Sequence, residues 1–275
     1  IPVHAWRKPW VRAVSLPCLD MAACALKLLK AEPFELVTLL LQWSLVMSNE
    51  SNAIHTIQFS GSGVFNPDVL DATHKQLDAV EADSSIEAVF LRGEGKNFSQ
   101  GLDLEFLMAN PDIFSEFVTS TMHLAARFLT FPVPVVSLVN GHAFGLGAML
   151  VLASDYAVMR GDRGFFCLPE IDIGMTLTVR MNALVKASMS AYAIRETLLT
   201  GGRLTGEQAR SMGVVDAVGD DSELEAIALQ VSAPMRGKPR ELLSGLKYGV
   251  HQELVDLMMS DAPDDAYTQV KIWPR

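Results

Sequence analysis

Three short stretches hold the residues whose types and spacing suit chemistry. The first is "CLPEIDIGM", residues 167–175, where Glu170 sits among Leu168, Pro169 and Ile171. A carboxyl desolvated by such neighbours is pushed toward its neutral form, which suits a general base working near neutrality. The competing reading is an exposed loop glutamate, the commoner case for a single Glu. Asp172 shares a face with Glu170 if the segment is extended, and need not if it turns. The second stretch is "NFSQGLDL", residues 97–104, where Gly101 permits a sharp turn and Leu102 is expected to open a helix. The third is "NGHAFGLGAML", residues 140–150, with the same order of strand, glycine turn and helix. A helix start exposes unpaired N–H groups and carries partial positive charge. The N–H groups of Leu102 and Leu146 would make an oxyanion hole if they met on one oxygen. Gly101, Gly145 and Gly147 would let a ligand approach the backbone closely. Strand–glycine–helix turns are also ordinary connectors, so either turn alone decides nothing.

Other residues weigh less. His142 suits a packed turn position, and Asp103 a charge at a helix start. Asp155 and Tyr156 read as structural. Arg92, Lys96 and Lys247 are candidates for an anionic ligand, although a surface cation is usually just solvated.

The elements that must hold these stretches follow from periodicity. "IHTIQFSG" alternates as a strand, and "NPDVLDATHKQLDAVEAD" starts a helix at Asn66-Pro67. "IEAVFLRGEG", "VPVVSLVNG" and "YAVMRG" read as buried strands. "IFSEFVTSTMHLAARFLTF" is an amphipathic helix stopped before Pro132 and Pro134. Strands separated by helices predict an α/β fold with a mostly parallel sheet. From about residue 184 the chain reads as mostly helical.

Composition narrows the classes. The chain has 275 residues, 49% of them hydrophobic, enough for one large core. Its formal charge is −10, which argues against a general nucleic-acid surface. No HxH, HExxH or CxxC spacing occurs, so no metal is expected. Three cysteines fit a reducing compartment, with the cytoplasm as the default. Residues 1–46 lack sustained period and read as an N-terminal extension ahead of Met47, with organelle targeting left open. The apolar "FELVTLLLQWSLVM" has only 14 residues, too few for a bilayer span.

Together "FSQGLDL", "PVVSLVNGHAFGLGAMLVLASDYAVM", "LPEIDIGM" and "LLTGGRLTGEQARSMGVVDAV" resemble the crotonase (enoyl-CoA hydratase/isomerase) superfamily, in order and spacing, from about residue 53 to 250. The resemblance implies a spiral of ββα turns over 47–200 and a helical oligomerisation region over 201–275, assembling as trimers or hexamers. It implies acyl-CoA thioester substrates, with CoA part of the substrate and no separate cofactor, and a place in fatty acid metabolism. It assigns the oxyanion hole to the N–H groups of Leu102 and Leu146, and the base to Glu170. Family hydratases carry a second glutamate in a "GGGxE" pattern; here that position is Met149, which cannot hold water. "RGDRGFFCLPEIDIG" is similar to single-glutamate isomerases of the family. The expected reaction is the Δ3–Δ2 shift of an enoyl-CoA double bond. Hydration, thioester hydrolysis, decarboxylation and non-catalytic acyl-CoA binding stay open as alternatives. Leu107, Met108, Phe117 and Met122 are expected around the acyl tail.

Overall fold

A computed structural model describes residues 53–61 and 63–260. The chain divides into Ile1–Ser51 and Asn52–Arg275, and the expected extension over 1–46 lies outside the described residues.

β-Branched and aromatic runs form the expected strands. β1 (Ile54–Phe59), β3 (Ala88–Gly93), β6 (Val135–Val139) and β8 (Tyr156–Arg160) lie side by side in one parallel sheet. Every residue of β6 is buried, as in a sheet covered on both faces. A fifth strand, β10 (Ala217–Gly219), pairs with β8 at the edge. The periodicity reading took this stretch into the mostly helical part. The three residues "AVG" are too few to show alternation, and their pairing to β8 fixes them as strand.

Between these strands lie the segments that build the site. β2 (Val64–Phe65) pairs with β5 (Gly101–Leu102). β4 (Asn97–Ser99), β7 (His142–Phe144) and β9 (Phe166–Cys167) form a second parallel sheet in the order β4-β7-β9. Helix α1 (Pro67–Ala82) begins as expected, with the Asn66 side chain accepting from the Val69 N–H and Pro67 at the first position. α2 (Leu104–Ala109) is short. α3 (Phe114–Thr130) buries one face, including Phe117, Leu124 and Phe128. α4 (Leu146–Leu152) is buried throughout. α5 (Val179–Ser188) starts at Thr178, whose side chain caps it. The remaining helices are α6 (Ala191–Ile194), which runs into a π-turn, α7 (Gly206–Ser211), α8 (Leu224–Ser232) and α9 (Arg240–Met259).

Two of the cations singled out from sequence, Lys247 and Arg92, find protein partners. Lys247 on α9 is buried and donates to Asp155 Oδ2 at 2.7 Å and to the carbonyls of Phe128 and Phe131. It ties α9 to α3 and β8 and reaches no external phosphate, because a buried ammonium must spend its donors internally. Asp155 also accepts from the Val135 N–H, confirming it as structural. Arg92 pairs with Asp221 at 2.8 Å. Among the described residues, no helix is long and apolar enough to cross a membrane.

Candidate active site

Parallel pairing of β4, β7 and β9 places their C-terminal ends on one edge of the small sheet. From that edge leave the three stretches marked by sequence: Gly101 after β4, Gly145 after β7, Glu170 after β9. Lys96 and His142 stand at the opposite, N-terminal ends of β4 and β7. The His142 ring packs against Phe144 and Phe165, at 5.1 and 5.6 Å between centroids. Burial, then the charges of Lys96, Arg203 and Arg163, hold its pKa below the usual imidazole value. It is a packed residue at the far end of β7 from the Gly145 turn.

The two glycine turns touch. Gly101 has φ of 90°. A Cβ placed there would come within 2.8 Å of the Phe144 carbonyl and 3.1 Å of the Leu146 nitrogen. Only a glycine lets the first turn lie against the start of α4. Ser99 joins them: its hydroxyl donates to the Gly63 carbonyl at 2.6 Å and accepts from the Gly101 N–H at 3.1 Å. Gly147 packs on the same residue, since a Cβ there would lie 2.6 Å from the Ser99 carbonyl. Sequence reasoning passed over Ser99. A serine two residues before a turn glycine was the available signal.

Leu146 is the first residue of α4, so its N–H is one of the helix's orphan donors. Leu102 differs from expectation. It ends strand β5, and helix α2 starts only at Leu104, because the Asp103 side chain caps the helix by accepting from Phe106 at 2.9 Å. The Asp103 N–H donates to Phe65 across the β2–β5 pair at 2.9 Å. Alternation along the strand then turns the Leu102 N–H to the edge away from β2. It is a strand donor, not a helix-start donor.

Glu170 is 7% exposed. Its Oε1 lies 3.9 Å from where a side chain on Gly145 would begin, so the carboxyl faces the second turn. Its Oε2 is buried without a hydrogen-bond partner. Burial pushes its pKa up to about 7 from 4.5, opposed only by a backbone hydrogen bond. The segment after it turns: the Asp172 N–H donates to Pro169 and the Met175 N–H to Glu170, both at 2.9 Å. Asp172 therefore leaves Glu170's face, and its carboxylate stands against Gly201. Burial raises the Cys167 thiol to about 11, which leaves it inert as a nucleophile. Met149 is buried in the main core cluster, and its N–H donates to the Gly145 carbonyl at 3.1 Å. Of the four expected tail residues, Leu107 and Met122 are fully buried, Met108 is 76% exposed, and Phe117 lines a cavity.

The raised pKa makes a pH prediction. The folded state holds the Glu170 proton more tightly than the unfolded chain, so the ionised form opposes folding. That penalty is absent below about pH 4.5, grows as pH rises and is complete above about 7. A shift of this size corresponds to roughly 3 kcal/mol. Denaturant midpoints of wild type and Glu170→Gln should therefore diverge across this window, with wild type the weaker at high pH. Parallel curves would exclude the assigned ionisation.

Fold and site together define a class: a crotonase-like α/β protein in which a pair of glycine turns faces one buried carboxyl. The family model described as enoyl-CoA hydratase/isomerase matches residues 49–264, and the chain belongs to that family. It is 34% identical to "Enoyl-CoA delta isomerase 3" of Arabidopsis thaliana over 61% of this chain and 73% of that protein. It is 32% identical to the peroxisomal "Enoyl-CoA delta isomerase 2" of the same plant, over 64% and 77%. Among solved structures, an enoyl-CoA hydratase/isomerase family protein from Pseudomonas syringae superposes with a TM-score of 0.69 at 27% identity, covering 78% of this chain and 91% of that one.

Proposed function

We propose that this protein isomerises 3-enoyl-CoA thioesters to 2-enoyl-CoA thioesters. The observation that carries the reading is a single buried glutamate, held near neutrality and facing the Gly145 turn, on a site whose second family position is the apolar Met149. The relatives named enoyl-CoA delta isomerase support it.

The N–H groups of Leu102 and Leu146 donate to the thioester carbonyl oxygen. This polarisation acidifies carbon 2, and ionised Glu170 removes a proton there. The electron pair spreads as a dienolate onto the oxygen, where each donor stabilises it by about 3 kcal/mol. Protonated Glu170 then delivers the same proton to carbon 4, and the double bond ends between carbons 2 and 3. Hydration needs a second group to hold water. Met149 offers none, Asp172 lies against Gly201, and Asp103 caps α2.

Self-association completes the proposal. Leu242, Leu246 and Val250 form an exposed apolar stripe along α9 that suits trimer or hexamer contacts. The low cysteine count supports a reducing compartment, with the cytoplasm as the default and organelle targeting left open by relatives named as peroxisomal.

The test is a spectrophotometric screen of the wild type with 3-enoyl and 2-enoyl-CoA thioesters. Conversion of 3-enoyl to 2-enoyl substrate is expected, with kcat/KM rising toward a plateau through an inflection near pH 7, where the base ionises. Turnover confined to hydration would overturn the reading.

A further inference from the structure

The two backbone donors of the site belong to separate pieces of chain. Leu146 opens α4, a helix buried throughout. Leu102 ends β5, which pairs with β2 over two residues, Val64 with Gly101 and Phe65 with Leu102. A pair this short cannot hold itself in place, since even a complete isolated hairpin is marginal in water. A further contact must fix Leu102 relative to Leu146.

Ser99 makes that contact. It is fully buried at the end of β4. Asn97 pairs with His142 and Ser99 with Ala143, so two steps along β4 match one along β7, and Phe98 is the extra residue of a bulge. A bulge re-aims the side chains beside it. Here the Ser99 hydroxyl reaches both strands of the short pair. It donates to the carbonyl of Gly63, one residue before β2, at 2.6 Å, and accepts from the N–H of Gly101, the first residue of β5, at 3.1 Å. The hydroxyl thus clamps β2 and β5 at the end where both begin. It also occupies the Gly101 N–H, which leaves the next one, on Leu102, for a ligand. The body of Ser99 meets α4. A Cβ on Gly147 would lie 2.7 Å from the Ser99 Cβ and 2.9 Å from its Oγ, so the missing side chain there is the notch that receives the serine.

We infer that Ser99 is a positioning residue of the reaction: clamped to β2 and β5 and seated against α4, it sets the Leu102 donor beside the Leu146 donor so that both meet the thioester oxygen as charge develops on it. The inference rests on the proposed isomerase reading. Ser99 acts through the backbone of Gly101 and Gly147 rather than on the substrate. A misplacement of about 1 Å in such a site can cost on the order of a hundredfold in rate, and outright loss of one oxyanion donor costs about as much.

The experiment removes the hydroxyl and keeps the Cβ. Ser99→Ala is expected to lower kcat on a 3-enoyl-CoA by about tenfold or more, while calorimetric affinity for a saturated acyl-CoA of the same length stays within about threefold of wild type. A serine that only stabilised the fold would lower the melting temperature and leave kcat alone. A second readout needs no turnover. Acetoacetyl-CoA is a 3-keto thioester whose enolate spreads charge onto the thioester oxygen and absorbs in the near ultraviolet. Well-placed donors favour that enolate, so the bound ligand should ionise about one pH unit lower on wild type than on Ser99→Ala. A wild type that shows this difference but isomerises no 3-enoyl-CoA would overturn the isomerase reading and uphold the positioning role. Gly147→Ala keeps the hydroxyl and drives a methyl into Ser99. It should show the same loss of kcat, and it decides the outcome if circular dichroism finds Ser99→Ala unfolded. A kcat and an enolate ionisation within about threefold of wild type in the folded variant would overturn the assignment. An acyl-CoA affinity that falls by the same factor as kcat would do so as well, since Ser99 would then shape binding and not the placement of the donors.

Discussion

Glu170→Gln is expected to lower isomerisation by at least about a hundredfold, the smallest loss usual when a general base is removed. Glutamine keeps the shape of the side chain and loses the ability to take a proton from carbon 2. The oxyanion donors are backbone groups and stay in place, so acyl-CoA affinity should change little. The variant should also be more stable than wild type above pH 7, because it removes a buried carboxylate whose Oε2 has no hydrogen-bond partner. Lost turnover, preserved binding and increased stability together separate a proton-transfer group from a structural one. A structural glutamate would lose stability when replaced. Retention of more than about a tenth of the activity would remove Glu170 from the base role.

Met149→Glu tests the opposite change. Met149 is 1% exposed, on the helix that begins at the second glycine turn. A carboxylate there enters the core beside Ala148, Leu150 and Val151. The expected cost is on the order of 3 kcal/mol, seen as a fall in melting temperature of about 10 °C. In return the site gains the group that family hydratases carry at this position. Hydration of 2-enoyl-CoA should rise above the wild-type level, measured as loss of the 2-enoyl absorbance together with formation of the 3-hydroxyacyl product. Efficient hydration by the unmodified protein would refute the reading, since water would then be activated without the missing glutamate.

The sequence by itself determined most of the element order. Asn66-Pro67, the β-branched run at residues 135–139 and the prolines that stop α3 are local signals, set by capping, side-chain shape and fixed φ. The sequence also marked Glu170, Gly101 and Gly145, because an acid among apolar residues and glycines after strands are visible without a fold. It did not determine which way these residues look. Only the parallel order β4-β7-β9 brings three stretches, separated by dozens of residues, to one edge. Only tertiary packing decided that Asp172 turns away while Glu170 is desolvated, since the local pattern allowed either. Leu102 was placed at a helix start because glycine followed by apolar residues suits one; pairing with Phe65 and the cap at Asp103 made it a strand donor. Lys247 looked like a free surface cation until α9 packed on α3 and buried it against Asp155. In each of these cases the deciding energy is desolvation or pairing with a distant residue, and that is a property of the folded chain rather than of any window along it.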